Sequence, residues 1–162
     1  MLIKLKNKES LVIDDFKFNC SIGKAGLKKH KIEGDKSTPK GIFSFGNLYY
    51  RSDRVIKPKT KLKIISIKKN MVWCNDPKSK YYNSQVKVSK KYKYEKLFRK
   101  DYKYNYILVV NYNPKKIPYK GSAIFIHFTK NNKPTVGCIA LKEKDFLIFL
   151  RLINKKTKIK IN

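Results

Sequence analysis

Apolar and polar residues alternate along much of this chain, and a period of two marks strands that bury one face. Phe16, Phe18 and Cys20 alternate with Lys17, Asn19 and Ser21, and the opening Met-Leu-Ile-Lys-Leu-Lys run reads the same way. Further strands are predicted at Gly41–Gly46, after a Thr38-Pro39 turn, and at Leu62–Ile67. Tyr106–Tyr112 and Ala123–Phe128 are rich in β-branched and apolar residues on both faces, so both belong at the centre of a sheet. Ile159 and Ile161 alternate with lysine at the end of the chain and predict a last edge strand guarded by charge. Helix is scarce. Phe146, Phe149, Leu150 and Ile153 recur at helical spacing and predict a helix over Lys142–Ile153, and a weaker one is read over Tyr94–Arg99. Gly23–Pro39 and Asn70–Ser84 read as long polar loops, which in a small domain tend to carry function. The pattern describes one mainly β domain over residues 1–162, with one helix near its C-terminal end.

The composition fits a folded body that carries an unusual charge. Of 162 residues, 41% are hydrophobic and 13% aromatic, enough for a real core. Forty Lys+Arg face eleven Asp+Glu, for a formal charge of +29. Arg stands only at positions 51, 54, 99 and 151, and the charge divides evenly, +13 over residues 1–81 and +16 over 82–162. Nucleic-acid readers lean on arginine, whose planar fork pairs with phosphate and guanine, so a lysine-coated surface of this kind argues against that class. Electrostatic association with an anionic envelope remains compatible with it. The abundance of Lys, Asn, Ile, Tyr and Phe fits an AT-rich coding bias. The N-terminal segment has no apolar h-region, and no stretch approaches the ~18 apolar residues of a membrane helix. Three cysteines, Cys20, Cys74 and Cys138, cannot all pair within one chain, and their spacing fits no zinc pattern.

One arrangement carries chemistry. His127 lies in the apolar run Ile124–Phe128, eleven residues before Cys138 in Pro134-Thr-Val-Gly-Cys-Ile-Ala-Leu141, and a polar loop separates them. Two strands joined by such a loop can set the imidazole beside the thiol. A thiol is weakly ionised near neutral pH, and a neighbouring imidazole activates it by taking its proton. Gly137 frees the backbone ahead of the nucleophile, so that the amides of Gly137 and Cys138 can face a developing oxyanion. Against this stands the plainer reading, in which Cys138 is a small buried apolar residue and His127 a satisfied core group. Cys74 has no evident base, His30 sits in a lysine-rich loop, and Asp76 before Pro77 reads as a turn residue.

The segment from His127 to Thr135-Val-Gly-Cys-Ile-Ala-Leu141 resembles the catalytic motif of the L,D-transpeptidase family (YkuD-type domains). Upstream, Glu33-Gly-Asp-Lys-Ser-Thr-Pro-Lys-Gly-Ile-Phe43 is similar to the same family's Gly-Asp…Thr-Pro-x-Gly-x-Phe segment. Trp73-Cys-Asn-Asp-Pro77 with Tyr82-Asn83, and Gly121–His127, look like a bacterial sub-branch of it. The resemblance spans roughly residues 23 to 141. It implies a curved mixed sheet and a cysteine nucleophile acting on peptidoglycan stem peptides that contain diaminopimelate. Cys138 would attack the diaminopimelate carbonyl of a donor tetrapeptide and release the terminal D-alanine. A second stem's amine, or water, would resolve the thioester. His127 would serve as base and then acid, Gly137 and Cys138 as oxyanion hole, and Thr135 as a support for the loop or for His127. No cofactor or metal is implied, a monomer is expected, and the expected place is the cell envelope or periplasm, with the cytoplasm left open by the missing signal peptide.

Three departures from the family pattern stand out. Val136 replaces the usual second His, Ala140 replaces an Arg found two residues after the Cys in many members, and the gap between His and Cys is short. A lysine, Arg51 or Arg54 would have to take over the role of the missing Arg, and Trp73 and Tyr82 are further candidate substrate contacts. Two alternatives stay open: a hydrolase of the same fold that uses water as acceptor, and a non-catalytic basic module that binds cell wall or nucleic acid.

Overall fold

A computed structural model describes all residues 1–162. In chain order the strands are β1 (Leu2–Lys6), β2 (Ser10–Ile13), β3 (Phe16–Ser21), the short pair β4 (Leu27–Lys28) and β5 (Thr38–Pro39), and the long β6 (Gly41–Tyr50). Then come β7 (Ile64–Ser66), β8 (Met71–Cys74), β9 (Ser84–Lys87), β10 (Tyr94–Lys96), β11 (Tyr106–Val110), β12 (Phe125–Phe128) and β13 (Ile139–Leu141). One helix, α1 (Glu143–Leu152), precedes the final β14 (Lys158–Ile161). The protein is mainly β.

The main sheet runs β11-β12-β13-β3-β2-β1-β14-β6-β7, and β11 pairs again with β6, so the sheet curves into a barrel-like ring. It is mixed: β1–β14, β12–β13 and β6–β7 are parallel and the other pairings antiparallel. β10, β8 and β9 form a separate three-stranded sheet. No helix is long and apolar enough to cross a membrane.

Alternation along the strands sorts side chains between two apolar clusters. From β11, Tyr106, Leu108 and Val110 join a 24-residue core, while Ile107 and Val109 join a second cluster of ten. Phe146, Phe149 and Leu150 of α1 are fully buried in the first. Burying each phenylalanine stabilises the fold by about 1.5–3 kcal/mol. The second cluster contains Tyr49, Trp73, Leu97, Tyr104, Phe125 and Cys138, and joins the ring to the three-stranded sheet. On β12, Ile126 and Phe128 point into the first core and Phe125 into the second, so His127, two residues on from Phe125, shares the second face.

Four expectations need correction. The weak helix over Tyr94–Arg99 is instead β10 followed by a turn, with Tyr94 and Lys96 opposite Cys74 and Val72. Its Tyr-Lys repeat has a period of two, and the partner strand supplies the missing hydrogen bonds. Asn70–Ser84 is not all loop, because Met71–Cys74 forms the central strand of the small sheet. The Gly23–Pro39 loop contains the short β4–β5 pairing. The last strand is not an edge: β14 lies between β1 and β6, with Ile159 opposite both Ile3 and Phe43. Its alternation reports one buried face, which an edge strand and an interior strand share.

Candidate active site around Cys138 and His127

The parallel register of β12 and β13 sets His127 opposite Ala140 and Ile126 opposite Ile139. Cys138 lies one residue before β13, in the same apolar cluster as Phe125. The thiol is buried. It donates to the Ala123 carbonyl (3.3 Å) and accepts from the Phe125 amide (3.4 Å). His127 is buried too, and its Nδ1 lies 2.9 Å from the Phe128 carbonyl. A carbonyl only accepts, so Nδ1 carries the hydrogen and Nε2 keeps its lone pair. No hydrogen bond joins the two side chains. Tyr104 packs edge-on against both the His127 ring (centroids 5.4 Å apart) and Phe125 (6.1 Å).

Burial dominates the protonation states. It pushes the Cys138 thiol up to about 12, with the nearby Glu95 carboxylate adding to the shift, and it holds His127 down to about 4. The pair therefore rests as neutral thiol and neutral imidazole.

The loop before Cys138 is held from two sides. The Thr135 hydroxyl donates to the Cys138 carbonyl (2.5 Å) and accepts from the Gly137 amide (3.1 Å). Gly137 N–H is thus already engaged, whereas Cys138 N–H has no partner in the fold. The Thr38 hydroxyl donates to the Gly137 carbonyl (2.8 Å) and accepts from the Gly23 amide (2.9 Å), so the upstream Thr-Pro segment touches the nucleophile's own loop. Gly137 has φ +140°, a conformation that favours glycine, and a Cβ there would stand 3.0 Å from the Ser37 carbonyl and 3.6 Å from Lys31 Nζ. Lys31 is itself buried against Asp35 (2.6 Å). Asp35 also accepts from the Ile32 and Ser37 amides and the Ser37 hydroxyl.

Two clefts open on either side of this loop. One, of about 490 Å³, is lined by Glu95, Arg99, Tyr104, His127, Thr135 and Ala140. The other, of about 270 Å³, is lined by Lys31, Glu33, Glu95, Ser122, Gly137 and Cys138. Glu95 and the exposed Val136 border both. A larger cavity of about 600 Å³ reaches Trp73 and Asn83 but neither His127 nor Cys138, so the two smaller clefts are where a reacting group would meet the thiol and the imidazole.

The remaining sequence candidates lie outside these clefts. Arg51 is buried, paired with Asp53 (2.6 Å), bonded to the Arg99 carbonyl and stacked 3.5 Å over Phe98. Arg54 reaches the Asp101 carbonyl (3.1 Å). Both anchor the segment that carries Arg99. Trp73 is a core aromatic whose indole N–H donates to Asn83 (3.0 Å). Tyr82 is fully buried, donates to Glu33 and accepts from the Gly121 amide. Cys20 and Cys74 are buried and unpaired, and Asp76 caps its turn by accepting from the Lys78 amide (3.0 Å). Lys31, Glu95, Arg99 and Tyr104 escaped the sequence reading. They are remote from the motif along the chain, and the only signal was scarcity: Glu95 is one of four acids after residue 81. No three His, Cys, Asp or Glu side chains converge to hold a metal ion.

A curved mixed sheet that carries a buried thiol and a buried imidazole, each bordering a cleft, defines a mainly β protein. The family model for the L,D-transpeptidase catalytic domain (YkuD) matches residues 3–161, nearly the whole chain, and the chain belongs to that family. Its members act on peptidoglycan stem peptides. No curated protein and no solved structure matches the chain.

Proposed function

We propose that this protein is a cysteine acyltransferase of the bacterial envelope that acts on peptidoglycan stem peptides. The observation that carries the reading is a buried neutral thiol on the same sheet face as an imidazole whose Nδ1–H is pinned by the Phe128 carbonyl. That tautomer leaves Nε2 free to accept the thiol proton. Cys138 Sγ attacks the diaminopimelate carbonyl of a donor tetrapeptide as its proton passes to His127. The unpartnered Cys138 amide meets the oxyanion. His127 then protonates the departing nitrogen, D-alanine leaves, and a thioester remains. An amine from a second stem resolves it to a cross-link, or water resolves it to a tripeptide. The resting thiol is hard to ionise, so the proton moves with the attack rather than before it. The lysine-rich surface favours association with the anionic envelope, an attraction that salt weakens.

The test incubates tetrapeptide muropeptides with wild type and Cys138→Ala, and follows D-alanine release and the thioester by mass spectrometry. Wild type is expected to show both and the variant neither. Equal release by the two would refute the proposal.

A further inference from the structure

The carboxylate of Glu95 stands out within the clefts. It borders the cleft that holds Cys138 and the cleft that holds His127. Tyr104 donates its hydroxyl to Oε1, and Oε2 has no hydrogen-bond partner. No lysine or arginine nitrogen lies within 4.0 Å of it, in a chain with 40 such residues against 11 acids. Of its acidic neighbours, Asp35 is spent on Lys31 and Asp101 on Arg99. Glu33, held by the Tyr82 hydroxyl through one oxygen, borders only the Cys138 cleft and so cannot serve both. Glu95 does not assist the nucleophile either, since its charge opposes ionisation of Cys138. A carboxylate that hinders the first half of the reaction, keeps one oxygen free and meets both clefts has its use in the second half.

We propose that Glu95 binds the cationic amine acceptor and takes its first proton. This rests on the acyl-transfer reading above. The amine arrives as an ammonium and pairs with Glu95 Oε2, which also removes the charge that opposes thiolate. Transfer of one proton to the carboxylate leaves a neutral amine. Its lone pair attacks the thioester carbonyl and forms the C–N bond. Its second proton goes to His127 Nε2, the C–S bond breaks, and the departing sulfur takes that proton from His127. The products are an amide, the free thiol, neutral His127 and protonated Glu95, which returns its proton to solvent through the cleft. Partial burial favours the proton-bearing form of Glu95 and fits it to this acceptance, and Tyr104 holds the carboxyl in place beside the His127 ring.

The experiment compares wild type, Glu95→Gln and Glu95→Asp with a donor tetrapeptide and a second stem bearing a free side-chain amine. It measures D-alanine release, the ratio of cross-link to hydrolysis product, and the pH profile of thiol alkylation. Hydroxylamine, uncharged at neutral pH, serves as the control acceptor. Glu95→Gln should release D-alanine faster, shift alkylation to lower pH, and lower the cross-link ratio with the cationic acceptor roughly 10- to 100-fold, the loss expected for one charge-assisted bond. The ratio with hydroxylamine should fall far less, and Glu95→Asp should recover part of the cationic ratio. Release with an unchanged ratio, or an equal loss with hydroxylamine, would overturn this inference alone. No D-alanine release by wild type would overturn the acyl-transfer reading and this inference with it.

Discussion

Replacing Asp35 by Asn strands a charge beside the nucleophile's loop. The Lys31 side chain is 3% exposed and Asp35 11%, with 2.6 Å between ammonium and carboxylate. Burial works to raise the Asp35 pKa, yet the Lys31 ammonium, the Ile32 and Ser37 amides and the Ser37 hydroxyl together hold its carboxyl well below the usual range. An amide side chain is neutral and carries two donors, so it cannot satisfy an ammonium and several donors at once. Removing one member of a buried pair costs about 3–5 kcal/mol, because the survivor stays buried and uncompensated. At roughly 2–4 °C per kcal/mol for a chain of this size, the melting temperature should fall by roughly 6–20 °C. The double variant Lys31→Met/Asp35→Asn removes both charges and should recover most of that loss, since an apolar replacement of a buried pair is often neutral. Chemical and thermal denaturation of wild type, both singles and the double form a closed cycle. A single variant within about 1 kcal/mol of wild type, or a double no better than the single, would refute the reasoning.

Three further outcomes follow from the same geometry. Gly137→Ala forces a side chain onto φ +140° and against the Ser37 carbonyl, so it should cost about 1–3 kcal/mol and slow thiol alkylation at Cys138; wild-type melting and alkylation rate would count against the contact. Thr38→Val keeps the shape but strands the Gly137 carbonyl and the Gly23 amide, at about 1–3 kcal/mol for each, measurable by denaturant titration. His127 falls from its ordinary 6.5 to about 4 on burial, so below pH 6.5 the unfolded chain binds the proton and the folded one does not. Stability should therefore drop by about 3 kcal/mol as pH falls from 6.5 towards 4, and His127→Gln should flatten that part of the stability curve.

His127, Cys138 and the Thr38-Pro39 segment stand out in the sequence because each lies in a short local motif, although the fold joins Thr38 to the Cys138 loop across ninety-nine residues. The two-sided burial of Tyr106–Val110 and the helix over Glu143–Leu152 were legible because periodicity reports how many faces are covered. Periodicity does not report which strand lies alongside, so β14 read as an edge. Tyr94–Arg99 reads as helix because the Tyr-Lys repeats blur the period and the partner strand lies about twenty residues away. Lys31, Glu95 and Tyr104 reach the site from the upstream loop, the small sheet and a turn, and charge composition alone could not assign them to one place. Arg51 shows the opposite error: an arginine chosen as a candidate ligand is consumed by Asp53, the Arg99 carbonyl and Phe98.

The pairing of β1 with β14 has a consequence for how the chain is made. Leu2 faces Lys158 and Ile3 faces Ile159, so strands from opposite ends of the sequence lie side by side, and β14 alone joins β1 to β6. The ring cannot close until the last strand has left the ribosome. Until then β1 and the Gly41–Ser44 end of β6 lack their shared partner, while the rest of the sheet, including the pairing of β6 with β11, can already form. The seam between β1 and β6 is therefore the last part of the ring to lock, when residues 158–161 slide between the two waiting rims.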